Sequence, residues 1–363
     1  MDREELRKLK ARAIVLAEGK LGELTGKTCN ILVMYSGWRR VIVRSVIDSR
    51  YSGRDAGDVL GIGFRGIPVV SNIEEALNVD DVDTLIVGIS PVGGRLPEKY
   101  REYIRKAIEN RLNIWSGLHI FISEDSEFRK LAEKYGVEIV DFRKPPKNLR
   151  IWDSSILKTR CIRILVSGTD CSVGKNVTSI EIVRELERRG YKVGLVGTGQ
   201  TMLMVGADAG TVVDAIPADF VPGEVEKHVV DLDKEGYQIV IVEGQASLLH
   251  PAYSQVTLGI YYGTMPHMVV LCHDPWRVYR ESFEHIGLKM PDIEDEIKAI
   301  KIHIPSTEIV AISVMGKDRK VEDVENMCEI LESRLGIPSA DPRHNVKKIV
   351  DVIEDKIKKI EKL

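Results

Sequence analysis

The chain has 363 residues, of which 44% are apolar and 29% charged. This length and composition fit two globular domains of roughly 150 to 200 residues each and argue against intrinsic disorder. Its 52 basic and 55 acidic side chains leave a formal net charge of −3. They form no basic stripe, so we expect no nucleic-acid partner.

The cysteine content and the amino terminus both indicate a cytoplasmic protein. The five cysteines are far apart and form no C-x-x-C pair, which argues against a disulfide framework and against a zinc site. Segment 1–22 predicts a charged amphipathic helix without the apolar core of a secretory signal, and no run of 18 apolar residues occurs. We therefore expect no membrane contact.

Short apolar runs alternate with helical patterns over residues 1–150. The predicted strands are 31–35, 41–47, 84–88, 113–115 and 137–140. The predicted helices between them include 73–77, 99–110 and 127–135. Strands separated by helices imply parallel crossovers, so the sequence predicts an α/β amino-terminal domain with a Rossmann-like parallel sheet.

The first predicted strand lacks the glycine fingerprint of dinucleotide-binding proteins. It is followed by Tyr35-Ser-Gly-Trp-Arg-Arg40 and not by G-x-G-x-x-G. We therefore expect no nicotinamide cofactor there. Asp48, at the end of the next strand, is either a ribose ligand or a solvated turn residue, and the second interpretation is favoured.

A second α/β series follows a proline-containing linker. Pro145 and Pro146 lie among charged residues in segment 142–149, which places the domain boundary near residue 150. The predicted strands beyond it are 162–166, 192–196, 238–242, 268–272 and 308–314. The predicted helices are 175–189, 224–234, 321–335 and 346–363. Residues 151–363 are thus predicted to form a doubly wound domain of the P-loop NTPase type.

The strongest motif joins a buried strand, a glycine-bounded loop and a lysine at the start of a helix. Loop amides, the helix dipole and Lys175 would together hold a phosphate group. Five residues separate Gly168 from Gly174, one more than in G-x-x-x-x-G-K, and this variant resembles the G-T-D-x-x-V-G-K loop of dethiobiotin synthetases. The predicted cofactor-binding residues are Gly168, Thr169, Asp170, Cys171, Ser172, Val173, Gly174, Lys175, Asn176 and Thr178.

Two residues of this loop leave alternatives open. Where P-loop nucleotidases have a Ser or Thr that coordinates magnesium, this chain has Asn176. A diphosphate that is held but not cleaved needs the amides and the lysine, not the metal; if magnesium is used, Glu243 or Asp170 would coordinate it. Cys171 is either a nucleophile or a small loop residue, and the second interpretation is favoured because no histidine lies near it in sequence.

Polar residues also follow other predicted strands, where ligand sites of α/β domains form. The candidate catalytic residues are Glu243, His250 and Asp219. The candidate substrate-binding residues are Gln200, Thr201, Gln245, Ser247, Tyr253 and Arg277. Each has a structural alternative, such as a cap, a turn or a hydrogen-bonded loop residue.

Six ordered motifs resemble one family. They are GTDCSVGK, TGQT, DAIPADFVPGE, VEGQASLLHPAYSQVTLG, LCHDPWR and GIPSADP. Together they are similar to the P-loop family of domains of unknown function that includes the D-glutamate N-acetyltransferases (DgcN-like proteins). The resemblance spans the whole chain and implies transfer of an acetyl group from acetyl-CoA to an amino acid such as D-glutamate.

That resemblance suggests roles for the candidate residues. The loop amides and Lys175 would hold the CoA diphosphate, and Arg277 or another cation would hold the substrate carboxylate. Glu243, then His250, then Asp219 are the candidates for the base that removes the ammonium proton.

Two other functions stay open. One is an ATP- and magnesium-dependent ligase or kinase of the dethiobiotin synthetase type. The other is a non-catalytic nucleotide-binding protein. For an enzyme with a small-molecule substrate we also expect a homo-oligomer, because two-domain metabolic enzymes are commonly symmetric assemblies.

Overall fold

The computed structural model describes residues 3–79, 81–89, 96–316 and 319–360. The chain splits into two compact units: Met1–Pro146 with Gly199–Ala207, and Lys147–Thr198 with Asp208–Leu363. The division lies close to the predicted boundary at residue 150. The short segment Gly199–Ala207, predicted as part of the second domain, packs within the first unit. No helix in the described ranges is long and apolar enough to cross a membrane.

Strands and helices alternate along the first unit. The strands are β1 (Ala11–Leu16), β2 (Val41–Ile47), β3 (Val69–Val70), β4 (Thr84–Val87), β5 (Asn113–Ser116) and β6 (Ile139–Asp141). The helices are α1 (Arg3–Lys8), α2 (Lys27–Met34), α3 (Ala56–Val59), α4 (Ile73–Leu77), α5 (Glu98–Glu109) and α6 (Ser126–Tyr135). The strands pair in parallel in the order β3-β2-β1-β4-β5-β6. This order is that of a Rossmann sheet, so the predicted fold of this domain is confirmed.

Two predicted elements at the amino terminus are wrong. Residues 11–16, predicted as part of the first helix, form the central strand β1, and residues 31–34, predicted as a strand, belong to α2. A central strand is covered on both faces, so its apolar run does not alternate and is easily mistaken for a helix face. The loop after the first strand is therefore the segment from Ala17 to Gly26, which still lacks G-x-G-x-x-G.

Asp48 at the end of β2 orders the loop that follows β1. Its side chain is completely buried and accepts hydrogen bonds from the backbone amides of Lys20 (3.1 Å) and Leu21 (2.9 Å). The Arg50 guanidinium donates to the same carboxylate at 2.9 Å. Burial acts to raise the pKa of Asp48, but these hydrogen bonds outweigh burial and lower it. Asp48 is therefore a structural carboxylate and not a solvated turn residue.

The second unit has its own parallel sheet. Its strands are β7 (Ile162–Gly168), β8 (Val193–Gly197), β9 (Ala209–Gly210), β10 (Ile239–Glu243), β11 (Met268–His273), β12 (Glu308–Val314) and β13 (Ser339–Ala340). The helices after residue 150 are α7 (Lys175–Arg188), α8 (Gln200–Val205), α9 (Val221–Lys234), α10 (Ser254–Thr264), α11 (Ile293–His303), α12 (Val321–Leu335) and α13 (Pro342–Ile360). Of these, α8 belongs to the first unit.

The sheet of the second unit places β7 at its centre. The pairing order is β13-β12-β11-β7-β10-β8-β9, and every pair is parallel. All residues of β7 are buried, as expected for a central strand of a parallel sheet. The carboxyl ends of β7, β8, β10 and β11 meet at one edge. The predicted P-loop fold is thereby confirmed.

Two helices of this unit were not predicted. Segment 254–264, interpreted from sequence as part of a polar loop, forms α10, and its buried face includes Ile260 and Tyr261. Helix α11 was also missed, although Ile293, Ile300 and Ile304 recur at helical spacing and are buried.

Candidate active site

The loop between β7 and α7 has the backbone of a phosphate-binding loop. Because α7 begins at Lys175, the amides of its first turn have no acceptor within the helix. No acceptor for the amides of Val173, Gly174 and Lys175 exists elsewhere in the described residues. Gly174 has a φ of +100°, and a Cβ atom there would lie 2.0 Å from Met315 Cγ. Only glycine fits this position without displacing its neighbour.

A buried carboxylate ties this loop to the segment after β11. Asp170 is completely buried, and its Oδ2 atom accepts from the Glu281 amide at 2.8 Å and from Arg277 Nη1 at 3.2 Å. Its Oδ1 atom accepts from Arg280 Nη1 at 3.3 Å. This carboxylate is thus compensated by two guanidinium groups, which is what permits its burial.

Arg277 and Arg280 also bind carbonyl groups of the site. Arg277 Nη1 donates to the carbonyl oxygen of Cys171 at 2.7 Å, and Arg280 Nη2 donates to that of Leu249 at 2.8 Å. Arg277, predicted to hold a substrate carboxylate, is therefore engaged with the phosphate loop itself. Its geometric role in this structure is to fix the loop.

Lys175 folds back over the loop and is buried. Its Nζ atom donates to the carbonyl oxygens of Asp170 at 2.6 Å and Ala246 at 3.4 Å. Both acceptors are neutral, so its positive charge has no direct anionic partner in these two contacts. A phosphate oxygen would be a stronger acceptor for the same ammonium group.

The residue in the magnesium position is paired with the carboxylate at the end of β10. Asn176 Nδ2 donates to Glu243 Oε1 at 2.7 Å, and the Thr198 amide donates to Glu243 Oε2 at 2.9 Å. Gln245 Nε2 donates to the Thr198 hydroxyl at 2.9 Å, which in turn donates to the Glu243 carbonyl oxygen at 2.9 Å. The predicted residues Asn176, Glu243 and Gln245 thus form one network.

His250 lies beside Asp170 and is completely buried. Its Nδ1 atom accepts a hydrogen bond from the Ala252 amide at 3.1 Å, so the neutral ring carries its proton on Nε2. Nε2 is 3.5 Å from Asp170 Oδ1 and has no hydrogen-bond partner in the described part of the chain. Burial, then the charges of Arg280 and Lys175, lower the pKa of His250 against the opposite effect of Asp170. The lowered pKa favours the neutral imidazole, whose Nε2–H group has no acceptor among the described residues.

Cys171 is close to His250 in space although far from it in sequence. One carboxylate oxygen of Asp170, Cys171 Sγ and one ring nitrogen of His250 lie within 4.8 Å of one another. Cys171 was interpreted as a plain loop residue because no histidine lies near it in sequence. In the folded chain a histidine does lie near it, so that reason no longer applies. Of the other loop residues, Ser172 is exposed and Val173 is buried.

Two loop-proximal threonines face the sheet. The Thr169 hydroxyl is 2.9 Å from His273 Nδ1. The Thr178 hydroxyl donates to the Gly174 carbonyl oxygen at 3.0 Å and is 2.8 Å from the Ser313 hydroxyl. Both side chains are completely buried. Each hydroxyl thus connects the loop region to a residue of the neighbouring strands β11 and β12.

The other candidates from the second unit differ in their surroundings. Ser247 Oγ accepts from Arg280 at 3.3 Å, and the ring of Tyr253 stacks on that of His250 at 4.7 Å between centroids. Asp219 is exposed in the turn before α9 and makes no hydrogen bond or ion pair within the described ranges. Geometry therefore associates Ser247 and Tyr253 with the loop and gives Asp219 no such contact.

The two candidates on α8 are engaged within the first unit. Gln200 Oε1 accepts from Arg143 Nη2 at 2.8 Å, and the Thr201 hydroxyl is 2.8 Å from the Thr28 hydroxyl. Both side chains are buried. These contacts anchor α8 to the Rossmann-like unit.

Glu296 on α11 supports the segment before His250 and was missed by sequence reasoning. Its buried carboxylate accepts from the amides of Leu248 at 2.7 Å and Leu249 at 3.3 Å. Burial raises the pKa of Glu296 to about 7. The available signal was helical spacing, because position 296 shares a face with Ile293 and Ile300.

Two family models match the chain. Residues 150–350 match the model described as a DUF1611 P-loop domain of unknown function, and residues 49–145 match the DUF1611 Rossmann-like domain. A solved DUF1611 protein from Anabaena variabilis superimposes with a TM-score of 0.86 at 28% identity, covering 95% of this chain and 100% of that one.

Named relatives are of two kinds. A D-glutamate N-acetyltransferase of Pseudoalteromonas sp. is 33% identical over 270 residues, which is 74% of this chain and 80% of the relative. An ATP-dependent dethiobiotin synthetase of Aquifex aeolicus is 28% identical over 122 residues, covering 26% of this chain and 55% of the relative.

Because Met315 lies so close to Gly174, replacing this glycine with alanine should destabilise the fold by more than backbone strain alone. Gly190 has a similar φ of +94°, but a Cβ atom there would meet no atom within 4 Å, so it is a matched control. We expect Gly190→Ala to lower the free energy of unfolding by about 1 kcal/mol and Gly174→Ala by roughly 1–3 kcal/mol more. Urea denaturation measures both. Adding Met315→Ala to Gly174→Ala should restore part of the lost free energy of unfolding. Equal losses for Gly174→Ala and Gly190→Ala would contradict a steric clash between the new Cβ atom and Met315.

The buried carboxyl of Glu296 predicts a pH-dependent stability. Because the folded-state pKa is raised, the protonated form stabilises the fold, and this contribution is lost as pH rises through about 7. From pH 5 to 8 the free energy of unfolding should fall by about 2 kcal/mol more in the wild type than in Glu296→Gln. Asp295→Asn, on the exposed face of α11, should behave like the wild type. Identical pH profiles for wild type and Glu296→Gln would contradict this assignment.

Proposed function

This chain belongs to the DUF1611 family, and from that premise we propose that it is an N-acetyltransferase. The acetyl donor proposed is acetyl-CoA, and the acceptor is the amino group of an amino acid such as D-glutamate. The phosphate loop would hold the diphosphate of CoA. Two observations support this: the names of the relatives that match most of the chain and the chemistry of the loop.

The observation that carries the proposal is the hydrogen bond between Asn176 and Glu243. In a P-loop nucleotidase, the residue after the lysine offers a hydroxyl oxygen to magnesium, and a nearby carboxylate completes the metal site. Here the side-chain amide of Asn176 donates to Glu243 Oε1 at 2.7 Å. Both groups are thus satisfied by each other. This arrangement suits a loop that binds a diphosphate without cleaving it.

The residues of the loop fit the phosphate part of such a donor. Amides of Val173, Gly174 and Lys175 point from the start of α7, where the helix dipole favours anions. Lys175 Nζ donates to carbonyl oxygens at hydrogen-bond distance and would exchange them for phosphate oxygens. The charge and donor set of the loop therefore match a diphosphate.

Of the three candidate bases, we favour Glu243. His250 carries its proton on Nε2, so it donates rather than accepts, and Asp219 has no contact with the described part of the loop. Glu243 is buried at the carboxyl end of β10 beside the loop. Its carboxylate would take the proton that the substrate ammonium group loses before attack.

One rival function has a specific observation in its favour. The chain is 28% identical over 122 residues to a relative named ATP-dependent dethiobiotin synthetase. An ATP-dependent ligase or kinase would use Lys175 on the phosphates and Glu243 or Asp170 on magnesium. Asp170 already accepts three hydrogen bonds, and Glu243 is bound to Asn176. Magnesium would have to share carboxylate oxygens that already accept these hydrogen bonds.

Calorimetry with three ligands separates the two functions. We expect acetyl-CoA to bind with the same affinity in the presence of EDTA or magnesium, and free CoA thiol to appear only after an amino acid such as D-glutamate is added. The thiol is followed with a colorimetric reagent, with L-glutamate as the stereochemical control. Magnesium-dependent binding of ATP, without thiol release for any amino acid, would overturn the proposal in favour of the ligase or kinase.

Variants of Lys175 and Glu243 assign their roles. Lys175→Ala should weaken acetyl-CoA binding by roughly tenfold or more, because it removes a charge-assisted phosphate contact; the exposed Lys192→Ala is the control. Glu243→Gln should retain acetyl-CoA binding and lose turnover by roughly 100-fold. A non-catalytic binding protein would instead show no turnover in the wild type and a changed affinity in the Glu243 variant.

A further inference from the structure

Asp170, Cys171 and His250 form a cluster that the proposed direct transfer does not use. A carboxylate oxygen of Asp170, the sulfur atom of Cys171 and a ring nitrogen of His250 lie within 4.8 Å of one another. Cys171 is half-buried, whereas Asp170 and His250 are completely buried. A buried imidazole nitrogen without a hydrogen-bond partner in the described residues faces this cluster. Such a group is costly to bury unless it interacts with something during function.

The three side chains resemble a set of metal ligands, but their protons and partners argue against a metal. Nδ1 of His250 accepts from the Ala252 amide, so Nε2 carries the proton and offers no lone pair. The Asp170 carboxylate already accepts from Arg277, Arg280 and the Glu281 amide. A cation would meet two guanidinium groups in the same shell. The cluster is therefore better suited to a negatively charged sulfur atom.

We propose that Cys171 is an acyl-accepting nucleophile and that the acetyl group passes through a thioester on its Sγ atom. This inference rests on the proposed function, because it specifies the route of the same transfer. The Nε2–H group of His250 would donate a hydrogen bond to the thiolate. The loop amides and Lys175 would hold the diphosphate on the same loop that carries the sulfur atom.

Cationic side chains contact Cys171 and the residue before it. Arg277 contacts the carbonyl oxygen of Cys171, and Arg280 and Lys175 contact the neighbouring residue Asp170. The start of α7 adds its partial positive charge. Asp170 places an opposing charge within 4.8 Å of the sulfur atom, and both arginines compensate it. Low-pKa cysteines in other proteins occupy such electropositive, partly exposed sites near helix starts.

The proposed transfer balances in two steps. In the first step, Cys171 loses its thiol proton to solvent, and the thiolate attacks the acetyl carbonyl carbon. The bond from that carbon to the CoA sulfur breaks. CoA then takes a proton and leaves as a thiol. The amino group of the acceptor then attacks the acetyl-cysteine. The Cys171 thiolate leaves and an amide forms; Glu243 has taken the first nitrogen proton before the attack, and the second nitrogen proton passes to solvent. Neither step needs an oxidant or a second cofactor.

The other four cysteines provide internal controls. All of them are buried, and burial raises the pKa of Cys161 to about 12 and those of Cys272 and Cys328 to about 11. Burial also raises the pKa of Cys29 far above its ordinary value. Thiols of this kind react slowly at neutral pH. Any rapid modification should therefore be confined to Cys171.

The test mixes the wild-type protein with acetyl-CoA in the absence of an amino acid. We expect a burst of one CoA thiol per chain and, after acid quenching, a chain heavier by one acetyl group, located on the peptide that contains Cys171. Adding the amino acid should remove this label and produce the acetylated amino acid. Cys171→Ala should show neither burst nor label. Its turnover rate should fall by roughly 100-fold or more. Cys328→Ala should behave like the wild type.

The outcomes separate this inference from the proposed function. Wild-type turnover without burst or label, together with near-normal turnover of Cys171→Ala, would overturn the thioester and leave direct transfer. A label on Cys171 that no amino acid removes would support the nucleophile and contradict the proposed acceptor. Absence of both label and turnover would overturn both. Calorimetry of Cys171→Ala with acetyl-CoA shows whether the variant still binds its donor, which excludes misfolding as the cause of a lost burst.

Discussion

The burial of the Asp170 carboxylate is the interaction on which the rest of the site depends. An isolated buried carboxylate would be strongly unfavourable, so its presence requires the two guanidinium groups and the amide that surround it. Those arginines lie in the segment after β11, and they also bind carbonyl groups of the phosphate loop and of Leu249. One charge therefore holds three separate segments together. Loss of that carboxylate would remove the charge that Arg280 pairs with, whereas Arg277 also lies 3.6 Å from Asp274 and 3.9 Å from Glu281.

This constraint changes the meaning of the residues around it. An arginine beside a phosphate loop is readily interpreted as a ligand-binding group, but Arg277 is already committed to loop carbonyl oxygens. The two oxygens of Glu243 also accept hydrogen bonds, from Asn176 and from the Thr198 amide, but a carboxylate can accept more than two, so Glu243 can still take a proton. The amides at the start of α7 and the Nε2–H of His250 retain unused hydrogen-bonding capacity among the described residues. These are donors, so the site is arranged to receive negative charge.

Sequence patterns predicted the elements that carry local signals. The strand, loop and helix around Lys175 follow from apolar periodicity and glycine positions, and the parallel order follows from alternation of strands and helices. Strand β1 was mistaken for a helix because a central strand has no polar face to mark its period. The proximity of Cys171 and His250, and the support from Glu296, depend on β7, β10 and α11 meeting in space. Distances of this kind between residues remote in sequence cannot be read from one chain alone.

A phosphate loop is consistent with acyl transfer because the two tasks need different things from the protein. Phosphoryl transfer requires charge to be stabilised on the phosphate as its bond breaks, and magnesium commonly supplies part of that charge. In acyl transfer from CoA the phosphates are only bound, because charge develops at the thioester and not on the phosphates. Asn176 lacks the hydroxyl that coordinates the metal in the first reaction, and a diphosphate that is only held does not need that hydroxyl. Binding energy from a remote diphosphate can then be used to place the thioester against the reacting groups, which is how a holding site contributes to rate.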